Sequence, residues 1–229
     1  MKGILIRSVL ILLLLAGVTA MAQNQIVYFG VGLTSLRGET SDQAIMDEDY
    51  GANYTLRYMV PLKDEKFVFT AETSYSNLRL QKVFGSGETA VIYENLVSHT
   101  YLGVGMRFYL TNSVNKYNPY RGQFLPFIGI NIGGVNISRN SNRSVTAPTL
   151  AGKRPIADPT LGYEFYEGSN YEFTGQMEGG FVYVINKIWS VEASGIARPG
   201  FSDSWDGIEG TTDSPDWFMS GALGVQMRF

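Results

Sequence analysis

The sequence predicts an all-β protein, an eight-stranded antiparallel up-and-down transmembrane β-barrel, from three observations. Apolar side chains recur at every second position in eight segments, and no stretch of comparable length shows a helical period. The spacers between the segments alternate between short and long, as they do in transmembrane barrels. The chain contains 26 Gly, 14 Tyr and 13 Phe and only 17% charged residues, a composition that suits many short strands.

The first 22 residues predict a signal peptide. Lys2 and Arg7 form a short basic region, residues 9–15 are an uninterrupted apolar run, and Ala20-Met21-Ala22 has the small-x-small pattern of a cleavage site. The apolar run is shorter than the ~20 residues that a spanning helix needs, so a signal peptide is favoured over an N-terminal anchor. A barrel domain is therefore expected over residues 23–229, in the bacterial outer membrane.

The composition excludes several classes of protein. The chain has no cysteine, which excludes an acylated lipoprotein and a small secreted module held by disulfides. Its net charge of -3, without a basic stripe, argues against nucleic acid as a partner. The acidic loop "DSWDGIEGTTDSPD" lacks the spacing of an EF-hand, so no metal and no cofactor are expected.

The first four segments cover residues 26–36, 50–60, 67–78 and 99–110. Alternate side chains of a strand point to opposite faces, so each segment has one apolar and one polar face. The apolar faces are, in order, Val27, Phe29, Val31 and Leu33; Ala52, Tyr54, Leu56, Tyr58 and Val60; Phe67, Phe69, Ala71 and Tyr75; Leu102, Val104, Met106, Phe108 and Leu110.

The last four segments cover residues 124–137, 171–185, 188–198 and 217–229. Glycine, serine, threonine and asparagine are frequent on their polar faces. The apolar faces are, in order, Ile128, Ile130 and Ile132; Met177, Gly179, Phe181, Tyr183 and Ile185; Trp189, Val191 and Ala193; Trp217, Met219, Gly221, Leu223, Val225, Met227 and Phe229.

The loop lengths predict how the strands are oriented. Short spacers follow the second, fourth and sixth segments, whereas loops of roughly 13, 20, 33 and 18 residues follow the first, third, fifth and seventh. We expect the short turns and both termini to face the periplasm. A strand of ~10 residues that rises about 3.3 Å per residue at a tilt near 40° crosses an apolar band of roughly 25 Å.

Alternation alone does not say which face points inward, and a soluble barrel of lipocalin type would have an apolar interior. Small and charged residues share one face here, which favours a polar lumen and an exterior in contact with outer-membrane lipid. Charges enclosed in a small barrel must pair, so a salt-bridged plug is favoured over an ion path and no open pore is expected. The predicted lumen charge network consists of Arg57, Glu72, Arg107, Glu178, Glu192 and Arg228.

A membrane-embedded hydrolase is the least favoured class. His99 is the only histidine, and neither Ser98 nor Ser74 shows any sign of activation as a nucleophile. His99 is expected at the extracellular rim of the fourth strand. We therefore predict a protein that is not an enzyme.

The end of the chain resembles known barrels. The final alternating stretch, with Trp217, Val225, Met227 and the last residue Phe229, is similar to the C-terminal signal that the barrel-assembly machinery recognises in outer-membrane proteins. The stretch "SVEASGIARPGFSDSWDGIEG" followed by "DWFMSGALGVQMRF" is similar to the end of PorG-like proteins of Bacteroidota. Residues 201–206 and 216–218 carry this second resemblance.

The resemblance implies a structural component of the type IX protein secretion system that contacts periplasmic ring subunits. The matching surface would be the longest short-side turn, "TNSVNKYNPYRGQF", with Lys116, Tyr117, Tyr120 and Arg121. The alternative is an OmpX- or OmpW-like barrel whose extracellular loops serve adhesion, defence or the uptake of small apolar ligands.

Overall fold

A computed structural model of the chain describes residues 25–37, 50–62, 66–84, 91–111, 122–144, 164–165, 168–201, 205, 208–209 and 216–229. The predicted signal peptide, residues 1–22, lies outside the described residues, so its prediction stands as made. In the part of the chain that is described, no helix is long and apolar enough to cross a membrane.

The described residues form ten strands, of which eight make a closed antiparallel barrel in the order β1-β10-β8-β7-β5-β4-β3-β2. The predicted fold class is confirmed. Two further strands of two residues each, β6 and β9, pair with each other outside the barrel. The strands are β1 Ile26–Arg37, β2 Tyr50–Pro61, β3 Phe67–Phe84, β4 Val91–Tyr109, β5 Gln123–Ser144, β6 Glu164–Phe165, β7 Gly168–Val184, β8 Trp189–Pro199, β9 Ile208–Glu209 and β10 Trp217–Arg228.

The barrel closes because its first and last strands pair along their whole length. β1 and β10 are antiparallel in a register that runs from Ile26 opposite Arg228 to Arg37 opposite Trp217. The backbone N–H of Phe229 adds a hydrogen bond of 2.9 Å to the carbonyl of Gln25. Closure leaves no free sheet edge around the barrel, which is the condition for a sheet to lie in hydrocarbon.

The outer wall of the barrel is apolar and the inner wall is largely polar. Leu33 is 64% exposed and Ile130 is 68% exposed, whereas Thr70 and Gln176 of the polar face are buried. This is the reverse of a soluble barrel, so the predicted orientation of the faces is confirmed. On β5 the outward run from residue 124 to residue 134 rises roughly 25 Å at about 3.3 Å per residue and a tilt of about 40°.

Four strands are longer than the sequence predicted, and all extend at the same end. β3, β4, β5 and β7 have 18, 19, 22 and 17 residues, whereas β1, β2 and β10 have 12. The outward residues just beyond the apolar band are polar, among them Asn77, Thr100 and Ser138. The apolar alternation that predicted the strands therefore stops where the extended strands leave the band.

The two ends of the barrel differ, and we name them the turn end and the loop end. The turn end has the connections 62–66, 110–122 and 185–188, and the loop end has all the others. The β3–β4 connection at the loop end, residues 85–90, has six residues and not the roughly 20 expected, because both strands extend beyond their predicted ends. At the turn end the N–H of Leu62 donates to the carbonyl of Phe67 at 2.8 Å. The side-chain oxygen of Asn186 accepts from the N–H groups of Ile188 and Trp189, both at 2.8 Å, which fixes the β7–β8 turn.

Glycines on the inner wall make room for large rings. A Cβ added to Gly224 would lie 2.4 Å from the ring of Tyr28 and 2.4 Å from the carbonyl oxygen of Phe29. A Cβ on Gly30 would lie 2.1 Å from the Tyr28 hydroxyl. The Tyr28 ring thus covers two glycines across the β1–β10 seam. Gly221, on the outer face of the same β10, has nothing within 4 Å of an added Cβ.

We predict that Gly224→Val destabilises the barrel and that Gly221→Val does not. The inward valine must displace both the Tyr28 ring and the β1 backbone, and overpacking of this kind costs about 1–3 kcal/mol or more of the free energy of unfolding. The outward valine adds an apolar side chain to an open surface of the same strand. Urea unfolding of the protein refolded in phospholipid vesicles measures both. Equal stability of the two variants would contradict the packing described here.

Candidate functional site: a sealed lumen

Six buried charged side chains meet in the middle of the lumen, and we call them the ionic layer. They project from β2, β3, β4, β7 and β8, so the layer reaches across the barrel. Three positive and three negative groups make the layer neutral when all are ionised. The members of the ionic layer are Arg57, Glu72, Arg107, Glu178, Glu192 and Arg198.

Arg57 contacts all three glutamates of the ionic layer. Its Nε lies 2.8 Å from Glu72 Oε2, its Nη1 lies 2.9 Å from Glu192 Oε1, and its Nη2 lies 3.1 Å from Glu178 Oε2. Glu72 is the direct cross-strand neighbour of Arg57 on β3, while the other two carboxylates come from the far wall. The guanidinium group of Arg57 therefore forms ion pairs with opposite sides of the barrel.

The other two arginines complete the layer. Arg107 donates from Nη1 to Glu192 at 2.7 Å and from Nε to Glu178 at 3.1 Å. Arg198 donates from Nη2 to Glu72 at 3.0 Å and to the Ser74 hydroxyl at 2.8 Å. Each glutamate thus has at least two cationic neighbours, and each arginine at least one carboxylate.

Neutral amides satisfy further oxygens and donors of the ionic layer. Gln176 accepts from Arg198 Nε at 2.5 Å and donates to Glu72 at 3.2 Å. Gln226 of β10 donates to Glu192 at 2.5 Å. Buried charges are tolerated when they are paired and their remaining hydrogen-bonding capacity is filled.

An aromatic ring packs against the guanidinium group of each arginine in the ionic layer. The centre of the Arg107 guanidinium lies 3.6 Å from the Phe127 ring centroid, and that of Arg57 lies 4.8 Å from Tyr28. Arg198 lies 4.0 Å from the Tyr101 centroid. Cation–π contacts gain strength where water is absent, so the rings both pack and partly solvate the cations.

Apolar layers close the lumen above and below the ionic layer. The side chains of the turn-end seal are Ile26, Tyr28, Met59, Val68, Tyr109, Leu125, Phe127, Val182 and Val184. The side chains of the loop-end seal are Leu36, Leu78, Val97, Tyr101, Val135, Ile137, Trp205 and Phe218. All of them are buried, so the ionic layer is separated from water at both ends.

Trp205 is the one member of the loop-end seal that does not come from a barrel strand. It belongs to the connection between β8 and β10 and its side chain is fully buried. Its indole N–H donates to Glu172 Oε2 of β7 at 2.6 Å, and its backbone N–H donates to Asp216 Oδ2 at 2.6 Å. The acidic loop is therefore folded back into the barrel mouth at Trp205 and Asp216.

His99 lies beneath Trp205 and not at the rim where the sequence placed it. It is 1% exposed, its ring stacks on Phe218 with centroids 5.2 Å apart, and Trp205 meets it edge-on at 5.4 Å. The rim expectation is wrong because β4 continues to Val91, eight residues further than the sequence predicted. The position under a buried tryptophan offers no serine partner at hydrogen-bond distance among the described contacts.

The structure brings together five of the six predicted charge-network residues: Arg57, Glu72, Arg107, Glu178 and Glu192. Arg228 lies half-buried at the turn end of β10 and makes none of the ion pairs found in the described lumen. Arg198 completes the layer instead. The sequence indicated this role, because Arg198 and Glu192 are an even number of residues apart and therefore lie on the same face of β8.

The remaining predicted residues lie on the outside or outside the described part of the chain. Val225 and Phe229 of the C-terminal signal are exposed on the apolar wall, and Trp217 and Met227 point the same way. The predicted periplasmic contact, Lys116, Tyr117, Tyr120 and Arg121, lies outside the described residues. In the described residues, no group of three or more histidine, cysteine, aspartate or glutamate side chains has an arrangement that could hold a metal ion.

The fold and its apolar wall define a small transmembrane β-barrel. No known protein family matches the sequence, and neither does any curated protein. Among solved structures, Neisserial surface protein A matches with a TM-score of 0.51 at 8% identity, over 90% of this chain and 97% of that one. This likeness shows the fold alone.

Other solved structures match with lower TM-scores, among them Ail and OprG. Ail of Yersinia pestis gives a TM-score of 0.44 at 13% identity, over 91% of this chain and 100% of that one. The outer membrane protein OprG from Pseudomonas aeruginosa gives 0.43 at 10% identity, over 91% and 96% of the two chains.

We predict that Glu192→Gln lowers the free energy of unfolding by about 3–5 kcal/mol, because it leaves Arg57 and Arg107 with surplus charge in a closed lumen. Arg228→Gln, outside the ionic layer, should change it by less than about 0.5 kcal/mol. Urea unfolding in vesicles measures both.

The double variant Arg107→Gln/Glu192→Gln restores neutrality and serves as the control. Its loss should be smaller than the sum of the two single losses by about 0.5–3 kcal/mol. Simple additivity would mean that the two side chains are not energetically coupled.

Proposed function

We propose that the protein is a non-enzymatic, non-conducting barrel of the bacterial outer membrane that works through contacts made at its two ends. The single observation that carries this proposal is the sealed lumen. An ionic layer with every charge paired lies between two buried apolar layers, so neither ions nor apolar ligands have a continuous path. The apolar wall supports placement in a bilayer, and the expected signal peptide supports export.

The favoured setting is a structural or anchoring role in a protein secretion apparatus of type IX kind, with periplasmic ring subunits as partners. This setting is supported by the resemblance of residues 201–206 and 216–218 to PorG-like proteins. Within those ranges Trp205 and Asp216 hold the loop in the barrel mouth, while Phe201 is 72% exposed. The proposed partner contact is the turn-end connection with Lys116, Tyr117, Tyr120 and Arg121.

A second setting, surface binding at the loop end, is favoured by the extended strands. Among the described residues, the part of β3 beyond Asn77 pairs only with β4. The part of β5 beyond Arg139 also pairs only with β4. A three-stranded sheet thus continues past the point where the barrel wall ends. An exposed strand edge binds an extended peptide through backbone hydrogen bonds, so this sheet suits adhesion to another protein.

We predict that the purified protein inserted in planar lipid bilayers shows no stepwise current at neutral pH, because its lumen is closed by two apolar layers. A porin inserted under the same conditions is the positive control. Discrete current steps that disappear after heat denaturation of the protein would overturn the non-conducting proposal.

The two settings are separated by affinity purification of the tagged protein from detergent-solubilised envelopes. We predict that replacing Lys116, Tyr117, Tyr120 and Arg121 by alanine abolishes recovery of periplasmic ring subunits. Lys187→Ala, in the exposed β7–β8 turn at the same end, is the matched control and should leave recovery unchanged.

The loop-end setting is tested by shortening the extended sheet. Arg79 and Leu96 are cross-strand partners, so residues 80–95 can be replaced by an Asn-Gly turn without changing the barrel register. Loss of binding to host or surface proteins in this variant, with ring subunits absent from the wild-type purification, would favour surface binding and contradict the secretion role.

A further inference from the structure

Two carboxylates hold Trp205 in the barrel mouth, and we call this residue with its two anchors the Trp205 cap. Glu172 anchors the indole from β7, and Asp216 anchors the backbone from the start of β10. Both acceptors are carboxylates, so the hydrogen bonds that they accept are charge-assisted. No main-chain ladder of the barrel includes Trp205, so these contacts and its packing determine whether the cap stays in place.

The floor of the Trp205 cap is His99, a buried histidine. Among the described residues, neither its Nδ1 nor its Nε2 has a hydrogen-bond partner, although the ring is almost completely buried. A neutral imidazole without partners is costly to bury, and an imidazolium, which has two N–H donors and a full charge, is far more so. The closed cap therefore accommodates His99 only in its neutral form.

The charges around His99 also disfavour its protonated form. The positive charges of Arg198 on β8 and Arg139 on β5 act on the ring, so a third positive charge is repelled. The other ionisable neighbours are Tyr101 on β4, whose ring packs against Arg198, and the two cap carboxylates. β1, β3 and β10 contribute Leu36, Leu78 and Phe218, which carry no charge.

From this arrangement we infer that the Trp205 cap is a closure released by acid: protonation of His99 expels Trp205 from the mouth and admits water to the upper lumen. In the open state His99 is hydrated and takes up its proton near the usual pH of about 6.5. The closed state binds fewer protons than the open state. The stability of closure is therefore complete above that pH and falls as the pH drops through it.

Cap release differs from opening a pore. The turn-end seal lies on the other side of the ionic layer and contains no histidine or carboxylate. The lumen consequently remains closed to current after the cap has left. Exposure of Trp205 and bilayer conductance are thus independent readouts, and failure of one proposal leaves the other untouched.

The test uses the full-length protein with Trp189→Phe and Trp217→Phe, folded in phosphatidylcholine vesicles, so that Trp205 is the only tryptophan. Quenching by aqueous acrylamide and the emission maximum are followed from pH 8 to pH 4.5. We expect quenching to increase several-fold, with a red shift, as the pH falls through the range in which free histidine titrates. Retention of the folded band in unheated gel electrophoresis at each pH shows that the barrel itself is intact.

One variant locates the titrating group, and a second is the control for the barrel. His99→Phe keeps the stacked ring and removes its proton, so its quenching should be independent of pH over this range. Trp205→Phe/Trp217→Phe, with Trp189 as the only tryptophan, reports on the lipid-facing wall and should show no transition.

The proposal is overturned if Trp205 stays protected down to pH 4.5. It is equally overturned if Trp205 is already fully quenched at pH 8, or if His99→Phe opens at the wild-type pH. Increased quenching of the Trp189 protein in the same pH range would assign the transition to the whole barrel and would also contradict it.

Discussion

Hydrocarbon offers no hydrogen bonds, so a sheet that crosses a membrane must pair every backbone group internally and must close. All other features of this barrel follow from that constraint. Successive side chains of a strand point to opposite faces, and closure by the β1–β10 pairing makes one face the outside of the barrel and the other the inside. The outward side chains contact lipid and are apolar. The inward side chains are confined to a narrow lumen, where charge is tolerated only when it is paired.

This alternation of inward and outward side chains explains how much of the fold could be predicted. The eight barrel strands, their order and the orientation of their faces follow from the alternation of apolar residues, because the lipid band imposes it on each crossing. The parts of β3, β4 and β5 beyond the band, such as Val91–Ser98, do not contact hydrocarbon and lack that imposed pattern. Short β6 and β9 depend on contacts between two loops, which no local pattern encodes.

The candidate site was predictable to the same extent. Charges on the inward face of a barrel must meet, and Arg57, Arg107 and their glutamates do. Arg198 obeys the same rule and was missed because it stands at the last inward position before Pro199. Trp205 was not predictable, since its burial depends on anchors in β7 and β10 that are distant in sequence.

The sharing of Arg57 among three carboxylates has a consequence for how this gene can change over time. A network built from separate pairs could lose one pair and keep the others, but here every glutamate has more than one cation and no pair is separable. Any single replacement that removes a charge leaves another charge uncompensated. The six positions therefore form one heritable unit, and divergence at one of them requires a companion change before it can spread.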